Sequence, residues 1–135
     1  MKRFFLFSIV AVFFIVSCSK SAKLNKSLDG SWTLKTINGR TTFIGYTIGT
    51  QYKQIFTMTK DLKDNGTYSV SVSITPTQGQ TLTQTEKGAY NLVQDRELIT
   101  KPNNVYTADT FTIVAYDKTT LKIKIDTFTY EYSKN

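Results

Sequence analysis

Asn65-Gly66-Thr67-Tyr68-Ser69-Val70-Ser71-Val72-Ser73-Ile74 alternates strictly after its first turn-like dipeptide: Tyr68, Val70, Val72 and Ile74 take one parity, Ser69, Ser71 and Ser73 the other. Side chains of an extended chain point to opposite faces with a period of two, so this stretch reads as a β-strand with one apolar and one wet face. The same pattern recurs towards the C-terminus. Phe111, Ile113 and Ala115 alternate with Thr110 and Thr112, and Leu121, Ile123 and Ile125 alternate with Lys122 and Lys124. Phe128, Tyr130 and Tyr132 then switch parity, which places a bulge or turn near Asp126-Thr127. Trp32 shares a face with Leu34, and Phe56 with Met58.

Turn signals separate these runs. Asp61 to Gly66 ends in Asn-Gly, a strong hairpin cue. Thr75 to Thr81, Gln94 to Arg96, Lys101 to Asn104 and Asp117 to Thr120 break the remaining pairs. Twenty-two threonines, eight tyrosines and repeated Val and Ile favour pleated surface over helix. About eight short strands with regular turns predict an all-β, antiparallel barrel or sandwich.

Upstream of the strands the chain changes character. Lys2 and Arg3 precede thirteen uncharged residues, Phe4 to Val16, and Ile15-Val16-Ser17-Cys18 closes the run. As a helix it would span ~20 Å at ~1.5 Å per residue, short of the ~30 Å bilayer core. A basic start, an apolar middle and a small residue before the cut describe a cleaved signal. The last four residues resemble the lipobox of bacterial lipoproteins, with Ile15 in place of the commoner leucine and a bulky Val16. That resemblance implies acylation of the Cys18 thiol, cleavage before it, and a membrane partner reached through the lipid. The alternative is a plain secretory signal with an incidental thiol. Expected divisions are 1–17 signal peptide, 18–27 lipidated cysteine and polar, flexible tether, and 28–135 barrel.

Cys18 is the only cysteine, so no internal disulfide supports the domain, and His is absent. The formal charge of +7 is concentrated in the tails: from Leu28 onward twelve Lys or Arg face ten Asp or Glu, a balance of +2. A nearly neutral domain argues against a nucleic-acid partner, and lysines beside an anchor suit anionic head groups. Ser19, not aspartate, follows Cys18, and no acidic residue lies close behind. The expected location is therefore the outer membrane of a bacterial envelope, with the domain facing the periplasm.

The opening Leu28-Asp29-Gly30-Ser31-Trp32 is similar to the Gly-x-Trp motif of lipocalins and lipocalin-like domains. Asn65-Gly66-Thr67-Tyr68 and Gly88-Ala89-Tyr90-Asn91-Leu92 look like two further strands of small bacterial members, and the final hairpin ends in Tyr132-Ser133-Lys134. The resemblance covers Leu28 to Asn135 and implies a single antiparallel up-and-down β-barrel. It implies that Gly30 turns the chain across the closed end and that Trp32 plugs it. The chain departs from the family in its shorter length and in lacking the second and third family motifs and a C-terminal disulfide.

The inward faces would then include Phe56, Met58, Tyr68, Val70, Tyr90, Phe111, Ile113 and Ile123. Those side chains either line a pocket for a small apolar ligand or fill the barrel. Asn38 to Thr50 carries three glycines with Phe43, Ile44, Tyr46 and Ile48, and reads either as an apolar lid or as another strand pair with glycine bends. Phe43 and Tyr46 complete the expected ligand set if it is a lid. No nucleophile–base pair, phosphate loop or metal-ligand cluster is visible, so no catalytic residue, metal or cofactor is expected and the chain reads as a non-enzyme. Two functions follow: a tethered lipocalin-like protein binding a small apolar ligand, or a filled barrel serving as an envelope protein-interaction module.

Replacing Cys18 by alanine should leave an unlipidated, poorly processed precursor, because cleavage in the lipoprotein pathway follows thiol acylation. Metabolic labelling with a radioactive fatty acid should mark the wild type alone. Normal cleavage of the alanine variant, with no label in the wild type, would return the chain to the plain secreted class.

Overall fold

In the computed structural model, which describes residues 23–135, eight antiparallel strands close into one barrel. They are β1 (Gly30–Ile37), β4 (Tyr52–Lys60), β5 (Asn65–Ile74), β6 (Leu82–Val93), β7 (Glu97–Pro102), β8 (Asp109–Tyr116), β9 (Thr120–Ile125) and β10 (Phe128–Lys134). Sequential strands pair from β4 to β10, β1 pairs with β4 on one side, and β1 meets β10 to close the ring. A separate two-stranded hairpin, β2 (Thr42–Phe43) with β3 (Tyr46–Thr47), fills the connection from β1 to β4. The signal segment and Cys18 lie outside the described residues.

The alternation produces the inner wall. Tyr68 and the residues of its parity meet the core, as do Phe56 and Met58 on β4, and Leu121 and Ile123 on β9. The parity switch near Asp126-Thr127 is a two-residue turn with Asp126 at φ 50°. Because Ile125 pairs with Phe128, Ile123 with Tyr130 and Leu121 with Tyr132, both strands keep their apolar rows on one face. A register shift between Ile113 and Ala115 ends the regular alternation of β8.

Asn65-Gly66 does not form the hairpin tip; both residues already belong to β5, and the turn lies just before them. The reason is a close approach. Gly66 pairs with Tyr90 and Tyr68 pairs with Gly88, so two glycine–tyrosine pairs run in opposite directions across β5 and β6. A Cβ on Gly66 would stand 2.8 Å from the Tyr90 ring, and one on Gly88 2.8 Å from the Tyr68 ring, with backbone carbonyls nearer still. Each glycine makes room for a ring from the other strand, a device that holds register.

Lys23 to Ser27, expected to belong to a flexible tether, are helical instead. Residues 23–28 form a short helix whose Leu24, Asn25 and Leu28 are fully buried. Leu24 and Leu28 stand one helical turn apart and so share a face, which is turned into the closed end of the barrel. The helix's last carbonyls are satisfied: the Trp32 indole donates to Leu28 at 2.8 Å, and the Lys134 ammonium donates to Ser27 at 3.0 Å. A cation there also favours the negative end of the helix. Lys134 in addition lies 5.2 Å above the Trp32 ring. Gly30, at φ 123°, carries the chain from the helix into β1, a backbone angle that suits glycine. Trp32 is fully buried beneath it.

Asn25 ties this end together. Its amide nitrogen donates to the carbonyls of Leu62 at 2.7 Å and Asn65 at 3.0 Å, and its oxygen accepts from the Tyr90 hydroxyl at 2.6 Å. Asn25→Ala should therefore cost about 1–3 kcal/mol, the penalty for a buried polar partner left unmet. Lys26→Ala, on the exposed side of the same helix, should stay within about 0.5 kcal/mol. Urea unfolding measures both; equal midpoints would mean that residues 23–28 do not help to close the barrel.

Candidate functional site

The two halves of the barrel are packed differently. Around the closed end Trp32, Met58, Tyr90, Leu92, Leu98 and Leu121 fill the interior. The other half contains a cavity of about 670 Å³. Phe56, Tyr68, Val70, Phe111 and Ile123 line it. Met58 and Tyr90, expected in the ligand set, instead belong to the filled half, because the Gly66–Tyr90 pair lies at the closed end of β5. Ile113 packs against the core without lining the cavity.

Phe43 and Tyr46 do not line the cavity either; they form the β2–β3 pair at its mouth. The segment is thus a strand pair placed where a lid would be. Phe43 packs edge-on to Tyr52 at 5.3 Å and to Phe128 at 6.4 Å. From there rings succeed one another into the barrel: Phe128 to Tyr130 at 6.3 Å, Tyr130 to Tyr132 at 6.5 Å, Tyr132 to Phe56 at 6.0 Å and Phe56 to Tyr68 at 5.9 Å. Such separations suit edge-on and offset aromatic contact.

Polar groups that the apolar pattern does not reveal share the wall. Gln54 accepts from the Tyr52 hydroxyl at 3.2 Å and donates to the Tyr132 oxygen at 2.8 Å. The Tyr68 hydroxyl donates to Glu86 at 2.7 Å. Gln84, Thr85, Thr100 and Asp109 complete the polar lining, and Asp109 pairs across the sheet with Thr100. Glu86 and Asp109 are exposed because the wall is low here: β7 ends at Pro102, opposite Gly88, so the first half of β6 runs on beyond it. The parity of Tyr90 and Leu92, carried back along β6, places Glu86 and Gln84 inward; that was the available signal.

Burial holds the cavity phenols neutral. It pushes Tyr132 far above the ordinary 10.0, with Tyr130 and Tyr52 adding to the effect, and raises Tyr52 and Tyr130 as well. Tyr68 rises through burial first, then its bond to Glu86 and the negative charges of Glu86 and Asp109. Tyr90 is pushed up to about 12, chiefly by burial and further by Asp29. Among the described residues no group of three His, Cys, Asp or Glu side chains is placed to hold a metal.

No protein-family model matches the sequence, and no curated protein matches it either. A solved structure does resemble the fold: Japanin from Rhipicephalus appendiculatus, a tick lipocalin solved bound to cholesterol, superposes with a TM-score of 0.56 at 12% identity. The match covers 78% of this chain and 74% of Japanin. The fold is that of a lipocalin-like barrel. This lipocalin-like barrel is therefore recognised through strand topology at a level of identity where sequence carries little.

The tyrosines supply a test. A phenol whose folded pKa is raised keeps its proton where the unfolded chain has lost it, so its contribution to stability is complete below the unfolded value and is lost as pH rises through the folded one. Five of the eight tyrosines (52, 68, 90, 130 and 132) should ionise above the ordinary range, and unfolding midpoints should fall as pH climbs past about 10. Tyrosinate absorbance, followed with and without denaturant, reads this. A folded protein that titrates all its phenols at the denatured midpoint would contradict the burial assigned to them.

Proposed function

We propose that this chain is a lipid-anchored, lipocalin-like binding protein of the bacterial envelope that holds a small, largely apolar molecule in the open half of its barrel. The cavity carries this reading. Its 670 Å³ falls within the ~300–1,000 Å³ common for small-molecule sites. Phe56, Val70, Val72, Phe111, Ile123 and Ile125 give it an apolar body. That Japanin was solved with cholesterol supports the reading by analogy of fold.

The lipobox-like Ile15 to Cys18 supports the anchor, and Ser19 supports an outer-membrane, periplasm-facing destination. Five residue steps separate Cys18 from Lys23, a reach of at most ~18 Å at ~3.6 Å per residue. An acylated Cys18 would hold the closed end, with Lys23 and Lys26, against the bilayer. The mouth would then face away from the membrane, and the ligand would enter from the aqueous side.

N-phenyl-1-naphthylamine, a neutral apolar fluorophore, should bind the purified protein with enhanced emission. Val72→Trp should fill the cavity and abolish binding, and Phe43→Ser should weaken it by about 1–3 kcal/mol through loss of an aromatic contact at the mouth. Absence of binding in the wild type would overturn the pocket reading. The envelope protein-interaction module, with no small-molecule ligand, would then be the better account.

A further inference from the structure

The charge of the cavity is opposite to that of the chain. The full sequence is formally +7 and contains no His, yet among the described residues no Lys or Arg lines the cavity. Among the described residues, its only ionisable groups besides phenols are Glu86 and Asp109. Glu86 accepts from the Tyr68 hydroxyl at 2.7 Å, and Asp109, opposite Thr100 on β7, lines the same cavity as Tyr68 and Glu86. From the mouth to this part of the wall runs the succession of rings that ends with Phe56 and Tyr68.

A fatty-acid-like carboxylate placed here would meet two negative charges and no cation among the described residues, an arrangement that disfavours it relative to a cation of the same shape. A neutral ligand would leave the two carboxylates without use. An organic ammonium satisfies every part of the wall. Its charge pairs with Glu86 and Asp109 at the low, solvent-reached side, its N–H groups meet acceptor oxygens, and its apolar body lies along the aromatic faces. Ring faces attract cations in their own right, and more so away from bulk water.

Resting on the cavity reading above, we infer that the ligand is an amphiphilic organic cation, an amine with an aromatic or aliphatic body, whose ammonium is held between Glu86 and Asp109. Glu86 is oriented for this by the Tyr68 hydroxyl. Asp109 stands beside Thr100 across β7 and β8. Since neither carboxylate is buried, removing their charge does not disturb the filled half of the barrel.

Three ligands of matched shape separate the alternatives: 2-(2-naphthyl)ethylamine, 3-(2-naphthyl)propionate and 2-(2-naphthyl)ethanol, each titrated calorimetrically into the purified full-length protein at pH 7. The ammonium should bind at least tenfold more tightly than the propionate and more tightly than the alcohol. In E86Q/D109N the ratio of ammonium to alcohol affinity should fall to about one. Binding of the alcohol and propionate with no preference for the ammonium overturns the inference while leaving the cavity reading in place. A preference that survives E86Q/D109N also overturns it. Binding of none of the three overturns both.

Discussion

The exchange of glycine and tyrosine between β5 and β6 is the constraint from which both ends of this barrel follow. Gly66 lies beneath Tyr90, and Gly88 beneath Tyr68. Since each ring needs the missing Cβ opposite it, a slip of one residue would drive a ring into backbone, and the register of the two longest strands is set. The two rings then reach in different directions. Tyr90 delivers its hydroxyl to Asn25 at the closed end, while Tyr68 delivers its own to Glu86 in the cavity wall. One pairing thus helps to seal the floor and to shape the site.

Why a barrel of this size is filled at one end and hollow at the other follows from the side chains offered at each level. The floor receives Trp32, Met58, Tyr90 and several leucines, together with Leu24 and Leu28 from the short helix. Higher up, β5 contributes Tyr68, Val70 and Val72, while β6 contributes Gln84, Thr85 and Glu86, which remain exposed to solvent. The six-residue β7 lowers one side of the wall, so solvent reaches these polar groups and their burial cost is avoided. An eight-stranded barrel can adopt either interior, and here the base is filled by close-packed bulky residues, while above it rings on part of the wall face valines on β5 and polar side chains on β6 and leave a space between them.

The strands were legible because their inner residues are apolar and their outer ones are Ser, Thr or Lys, as in Tyr68 to Ile74. Legibility failed where that contrast was absent. In Leu82 to Lys87 both faces are mostly polar, so Gln84 and Glu86 gave no period-two signal of their own and could be placed inward only by extending the parity of Tyr90 and Leu92. Gln54 was hidden in the same way between Tyr52 and Phe56. Asn65-Gly66 carried a sound turn signal, but Gly66 answers to the Tyr90 ring, a partner twenty-four residues away that local pattern does not reveal. Leu24 and Asn25 were masked by the lysines around them: a helix of six residues has too little sequence to show a period, and its burial depends on an end of the barrel formed by distant strands. The turn at Asp126-Thr127 was readable because two apolar rows of opposite parity can share one face only if the chain reverses or bulges between them.

Tyrosine rather than phenylalanine dominates the interior for a reason that joins structure to site. A phenol offers the same ring for packing and adds a hydroxyl that stays neutral here, since burial keeps Tyr52, Tyr130 and Tyr132 protonated well past ordinary pH. Gln54 can therefore join Tyr52 and Tyr132 without bringing charge into the wall. The hydroxyls provide directional contacts and the rings a continuous surface, while net charge is left to Glu86 and Asp109. A wall built in this way keeps two features apart, apolar contact along the rings and charge at one side, and the inferred preference for an organic cation rests on that arrangement.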